Sequence, residues 1–176
     1  AKKVFYISCG CDEEIHQKVN LPKKYDIGYV GTDGGIPRKF ILQELRERYP
    51  NHFIGTASHT RMSEMYSQSK IGFNYPIRLE GMTMRSFEIS ACGTIQFMPR
   101  LPKGWIEDLG FFHKKNIIVY EDFKDLIQWI DYYLVHEEER ERIAQEAYEH
   151  VRKHHTYTHK VEEILHLVRK EIGIRV

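Results

Sequence analysis

Long apolar runs are missing from this 176-residue sequence. No stretch approaches the roughly 20 residues that cross a bilayer, and Ala1-Lys2-Lys3-Val4 is too brief to be a secretory leader. The expectation is a cytoplasmic chain without a transmembrane segment. Cysteine is scarce and odd in number: Cys9 and Cys11 stand too close for a structural bridge, and Cys92 is far from both. A disulfide scaffold is thereby excluded, in keeping with a reducing compartment. Charge of one sign is also lacking, since 26 basic residues face 25 acidic ones. Bulk electrostatics therefore gives no case for nucleic acid or an anionic membrane as partner, and any cationic site must be local. Internal repeats and low-complexity tracts are absent too.

What is present suffices for one ordinary core, with 41% apolar and 12% aromatic residues. Val4-Phe5-Tyr6-Ile7-Ser8 reads as a short strand, and the polar stretch from Cys9 to Lys24, with Gly10 and Pro22, reads as a linker. Residues 1–24 are thus expected to be a strand and an interdomain tether, and residues 25–176 the domain proper. A start at Ala1 without Met suggests a piece of something longer. Beyond the tether, short apolar segments near 26–31, 52–55, 70–75, 94–98 and 116–120 alternate with helical patterns. Such alternation predicts an α/β fold, a Rossmann-like open parallel sheet of about five to six strands flanked by helices. Pro37 suits the opening of one helix, with Phe40, Ile41 and Leu45 at helical spacing and Tyr49-Pro50 as the stop. Asp122 suits the cap of another, striped by Phe123, Leu126, Ile127, Ile130 and Leu134. Two further helices are expected over 137–153 and 158–172. Their inward residues should be Ile143, Ala144, Ala147 and Val151 in the first, and Val161, Ile164, Leu165 and Val168 in the second.

Two loops draw notice. The first, Gly31-Thr32-Asp33-Gly34-Gly35, follows a strand and leads into Arg38 and Lys39, so its amides and cations suit an anion. A plain turn explains the glycines equally well. The second holds Glu80 and Gly81 ahead of a helix for which Thr83 is a candidate cap, with Arg85 and Glu88 three positions apart on one face. In an open parallel sheet both loops emerge at the carboxyl ends of strands, where ligands bind, and there they can converge. Amides, a cation and an anion together suit a nucleotide diphosphate-sugar. The competing reading is an Arg85–Glu88 pair on a solvated face. The histidine pairs His150/His154 and His155/His159 have a ligand-like spacing, but no acid or thiolate completes a metal site.

Glu80 and Glu88, followed by Ala91-Cys92-Gly93 and a strand, resemble the donor-site signature of group 1 glycosyltransferases of the two-domain GT-B fold. Further stretches, in order, are similar to the spore-maturation-type branch: Tyr29-Val30-Gly31, Phe53-Ile54-Gly55, Met65 to Asn74, Arg85 to Glu88 and His155-Thr156-Tyr157. The resemblance implies the C-terminal, donor-binding half of such an enzyme, acting with an N-terminal acceptor-binding half. It implies that Glu88 binds the ribose hydroxyls and that Glu80 contacts the donor sugar or aids departure of the diphosphate. Arg85 with Gly81 and Arg38 would then hold phosphate, and Thr56 and Ser58 would sit near the base; the Gly31 loop and Thr83, candidates from the residues themselves, complete the expected donor-binding set. Neither metal nor other cofactor is required in this reading. A non-catalytic nucleotide-binding module is the alternative.

Overall fold

The strands carry apolar side chains on both faces, as a sheet covered on both sides demands, with Asp26 and Lys70 paired on neighbouring strands at 2.7 Å. The computed structural model describes residues 3–102 and 104–172. Its strands are β1 (Tyr25–Val30), β2 (His52–Gly55), β3 (Ser69–Phe73), β4 (Ile95–Pro99) and β5 (Ile118–Tyr120). They form one parallel sheet in the order β2-β1-β3-β4-β5. The helices are α1 (Arg38–Arg48), α2 (His59–Ser67), α3 (Met84–Ala91), α4 (Phe123–Val135), α5 (Glu137–His154) and α6 (Tyr157–Ile172). On one face Ile27, Tyr29, Ile71, Phe73, Phe97 and Tyr120 pack with Leu42 and Leu45 of α1 and Leu126 and Ile130 of α4. On the other, Val30 meets Met62 and Met65 of α2, while Met98 and Val119 meet Phe87 and Ala91 of α3. Burying each large apolar side chain contributes ~1.5–3 kcal/mol, so this double layer is the main source of stability. Gly72 points toward α3, where a Cβ would collide with Ile89, so the missing side chain sets how closely that helix lies on the sheet.

The expected helix boundaries hold, and Asp122 does cap α4, accepting from Asp125 N at 2.8 Å. Within α4 the stripe differs by one residue. Phe123 in the first turn is exposed, while Tyr133 is buried against Phe97. Two expectations fail more broadly. Residues 4–8 form no strand, because the following residues are taken up at the junction of α5 and α6: Cys11 N donates to His155 O and Tyr157 N to Cys11 O, each at 2.9 Å. The apolar stripe of α6 is not inward either. Val161, Ile164, Leu165 and Val168 are 43–53% exposed.

The polar stretch after Cys11 is bound to the domain. Gln17 N donates to Ser63 Oγ (3.1 Å), Ser63 Oγ to Ile15 O (2.6 Å) and Val19 N to Ser67 Oγ (3.0 Å). These hydroxyls of α2 satisfy backbone groups that would otherwise be buried without partners.

The strand order has one reversal that matters. The chain goes from β1 out to β2 and then returns across β1 to β3, with α1 and α2 on opposite faces. The carboxyl ends of β1 and β3 therefore diverge into a crevice, where ligands of open α/β sheets bind.

Candidate functional site

That crevice is a cleft of about 690 Å³, into which Arg38, Glu80, Gly81, Thr83, Arg85 and Glu88 all face. The two loops singled out in the sequence do converge. Arg38 of α1 donates to Gly34 O and, at 3.5 Å, to Tyr75 O, so it ties the loop after β1 to the chain leaving β3. Arg85 of α3 reaches back to β1: its Nε donates to Val30 O (3.0 Å), and its guanidinium lies 4.6 Å over the Tyr29 ring. Gly31 makes that reach possible. Its φ of +154° disfavours a side chain, and a Cβ there would occupy the space of the Arg85 guanidinium.

Thr83 stands at the N-cap of α3 by backbone geometry but does not cap it. Its Oγ1 makes no capping hydrogen bond and is buried without a partner, correcting the expected role. A cap of this kind is worth ~0.5–2 kcal/mol, so the helix forgoes stability at the point that faces the cleft. Gly81, with φ at +144°, brings the loop against the Trp105 ring, and Glu80 beside it is exposed.

Glu88 is one turn into α3 and only 8% exposed. It does not pair with Arg85. Among the described residues no group donates a hydrogen bond to its carboxylate, and the nearest cationic candidate is His16 Nε2 at 3.8 Å. Burial raises its pKa, opposed by the nearby Arg85 and His59. A carboxylate held this way is costly unless something arrives to donate to it. Arg85, Arg38 and Glu88, lining one cleft, thus offer cations for an anion and an acceptor for hydroxyls.

Thr56 and Ser58 follow β2 and are exposed, outside the lining of the cleft. Ser58 stands at the N-cap of α2, with its Oγ 3.1 Å from Thr60 Oγ1. His16 was not legible as a site residue. It lies in the polar stretch read as tether, and no spacing signals that the stretch folds back onto α2 and sets an imidazole behind Glu88.

Other chemistry-bearing side chains are engaged elsewhere. His150 Nε2 and His155 Nε2 both meet Leu109 O, at 2.8 and 2.9 Å, and burial lowers the His155 pKa to about 4. Burial also pushes the Cys92 thiol up to about 12 and the Cys11 thiol up to about 11, so both behave as core groups. No helix among the described residues is long and apolar enough to cross a membrane.

Solved structures share this architecture. Sucrose-phosphate synthase from Thermosynechococcus elongatus superposes with a TM-score of 0.73 at 16% identity, over 94% of this chain and 52% of that one. HepE from Anabaena, solved in complex with UDP, gives 0.70 at 11% identity, over 92% of this chain and 56% of that one. The C-terminal domain of a group 1 family glycosyl transferase, LpcC from Francisella tularensis, gives 0.62 at 15% identity, over 82% of this chain and 97% of that domain. The chain thus spans about half the length of the first two. At these identities the likeness is one of fold, and no curated protein matches the sequence. Residues 16–166, however, match the model of the glycosyl transferase-like family, and the chain belongs to that family.

Proposed function

We propose that this chain is the donor-binding half of a glycosyltransferase that moves a sugar from a nucleotide diphosphate-sugar to an acceptor. The observation that carries the reading is the cleft at the β1/β3 crevice, lined by two guanidinium groups and by a buried carboxylate that lacks a donor among the described residues. A nucleoside diphosphate supplies both missing partners: its diphosphate for Arg85 and Arg38, and its ribose diol for Glu88. The unsatisfied Thr83 hydroxyl at the start of α3 adds a group that can donate to phosphate oxygen, reinforced by the positive end of the helix.

In the transfer step negative charge grows on the leaving diphosphate, and fixed cations and amides that face it lower the barrier. Arg85 is already immobilised by Val30 O and Tyr29, so little reorganisation accompanies that stabilisation. Neutralisation by arginine asks for no metal. Glu80, exposed at the rim, is the residue we assign to the donor sugar and to departure of the diphosphate. Gly31 gives close approach, and Thr56 and Ser58 are assigned to the base side. HepE was solved with UDP and with UDP-glucose, which makes a UDP-sugar the first donor to try.

The acceptor site belongs to a second, N-terminal half in this proposal, with residues 1–24 as the tether. The exposed apolar stripe of α6 and the exposed Val4, Phe5 and Tyr6 support a face that another domain covers. The order of the motifs further supports the spore-maturation branch. Calorimetric titration with UDP, GDP, ADP and UDP-glucose tests the donor site. Saturable binding that is lost in Glu88→Ala is the expected result; equal affinity of parent and variant for every ligand would sink the reading.

A further inference from the structure

His16 is 4% exposed, and its surroundings specify its proton. Asp12 N donates to Nδ1 at 3.0 Å, so the neutral ring carries its hydrogen on Nε2. That Nε2 is buried without a hydrogen-bond partner and lies 3.8 Å from Glu88 Oε1. The ring cannot easily drift. Asp12 Oδ1 accepts from Glu14 N and Ile15 N, His16 N donates to Asp12 O at 2.8 Å, and the next residue is bonded to Ser63 of α2. The structure therefore contains a fixed donor and an acceptor facing each other at 3.8 Å, about 0.6 Å beyond the usual hydrogen-bond range.

We propose that His16 is a positioning residue for Glu88: when the vicinal hydroxyls of a ligand seat on the outer side of the carboxylate, the carboxylate shifts inward until Oε1 accepts from the fixed Nε2–H, which holds the group ionised and aimed. The proposal rests on the donor-site reading and adds to it a residue from outside the Glu80–Glu88 motif. It also explains why the polar segment before β1 is stitched to α2. A free tether would leave Glu88 without any donor behind it.

The pair makes binding sensitive to acid. The groups facing it are Asp12 on its own turn, His59 and Tyr66 of α2, Arg85 and the C-capping Cys92 of α3, and Tyr157 of α6. Burial lowers the His16 pKa and raises that of Glu88, so near neutral pH the imidazole stays an N–H donor. As pH falls through the raised pKa of Glu88, the carboxylate protonates and affinity for the diol is lost. Removing the His16 donor destabilises the ionised carboxylate further and moves that loss to higher pH.

The test is calorimetry of the parent, His16→Ala and His16→Gln with UDP and with inorganic pyrophosphate, from about pH 5 to 8. Expected are roughly tenfold weaker UDP binding by His16→Ala, an acid limb displaced upward, and unchanged pyrophosphate affinity. His16→Gln, whose amide N–H replaces Nε2–H, should recover most of the affinity. Parent-like UDP binding by His16→Ala at every pH overturns the proposal. So does equal loss of UDP and pyrophosphate with a lowered melting temperature, which marks a purely structural residue. A parent that binds no nucleotide fails the donor-site reading instead. In that case NMR titration of the Glu88 carboxyl decides the pair by itself: an apparent pKa that is the same in parent and His16→Ala sinks it.

Discussion

Arg85 and Glu88 sit one helical turn apart on α3 and line the same cleft, yet the fold treats them differently. Arg85 is anchored: it donates to Val30 O, covers the Tyr29 ring and fills the space that Gly31 leaves. Glu88 is buried, raised in pKa and without a donor among the described residues. One charge therefore contributes to the fold and is available to a ligand, while the other is held at the expense of stability. The difference teaches where the cleft is unfinished. A ligand needs to supply hydroxyl donors at Glu88 far more than it needs to organise Arg85.

Substitutions can break this asymmetry from either side. Gly31→Val should have the largest effect, because it forces φ out of the glycine region and displaces the guanidinium; a loss of ~1–3 kcal/mol in unfolding free energy, read from denaturant titration, is expected together with loss of UDP binding. Arg85→Ala should weaken UDP by ~1.5–3 kcal/mol in calorimetry and also lower the melting temperature, since the side chain packs as well as binds. Glu88→Gln sharpens the contrast. It should weaken UDP roughly tenfold yet raise the melting temperature, because a buried charge without a donor is removed at constant shape. A lower melting temperature in Glu88→Gln would show that the carboxylate is a structural partner after all. Glu80→Ala should be smallest, leaving UDP affinity unchanged and reducing only the extra affinity of a UDP-sugar over UDP. Equal loss for both ligands would move Glu80 from the sugar to the diphosphate.

A second contrast shows what a pattern of residues can convey. In α5, Ile143, Ala144, Ala147 and Val151 recur at helical spacing and are buried; in α6, Val161, Ile164, Leu165 and Val168 recur in the same manner and are exposed. Periodicity reports that a helix has an apolar side, and it is silent on what covers that side. The same holds for residues 4–8, where an apolar run fits a strand but no sheet edge receives it. The loop residues fared better. Glycines after β1 and the Glu80–Glu88 spacing pointed at two loops whose meeting follows from strand order alone.

Element types, the alternating strand and helix order, and the chemistry around Arg85 and Glu88 were determined by local sequence, because propensity, capping and side-chain period act over a few residues. Only the tertiary structure decided that Arg85 reaches Val30 rather than Glu88, that Thr83 leaves its helix uncapped, and that His16 comes to rest behind the carboxylate. The first and last of these join residues 55 and 72 positions apart, Val30–Arg85 and His16–Glu88. The two long-range ones depend on how α2 and α3 lie on one face of the sheet, a matter of packed volumes and satisfied backbone groups that no local pattern encodes.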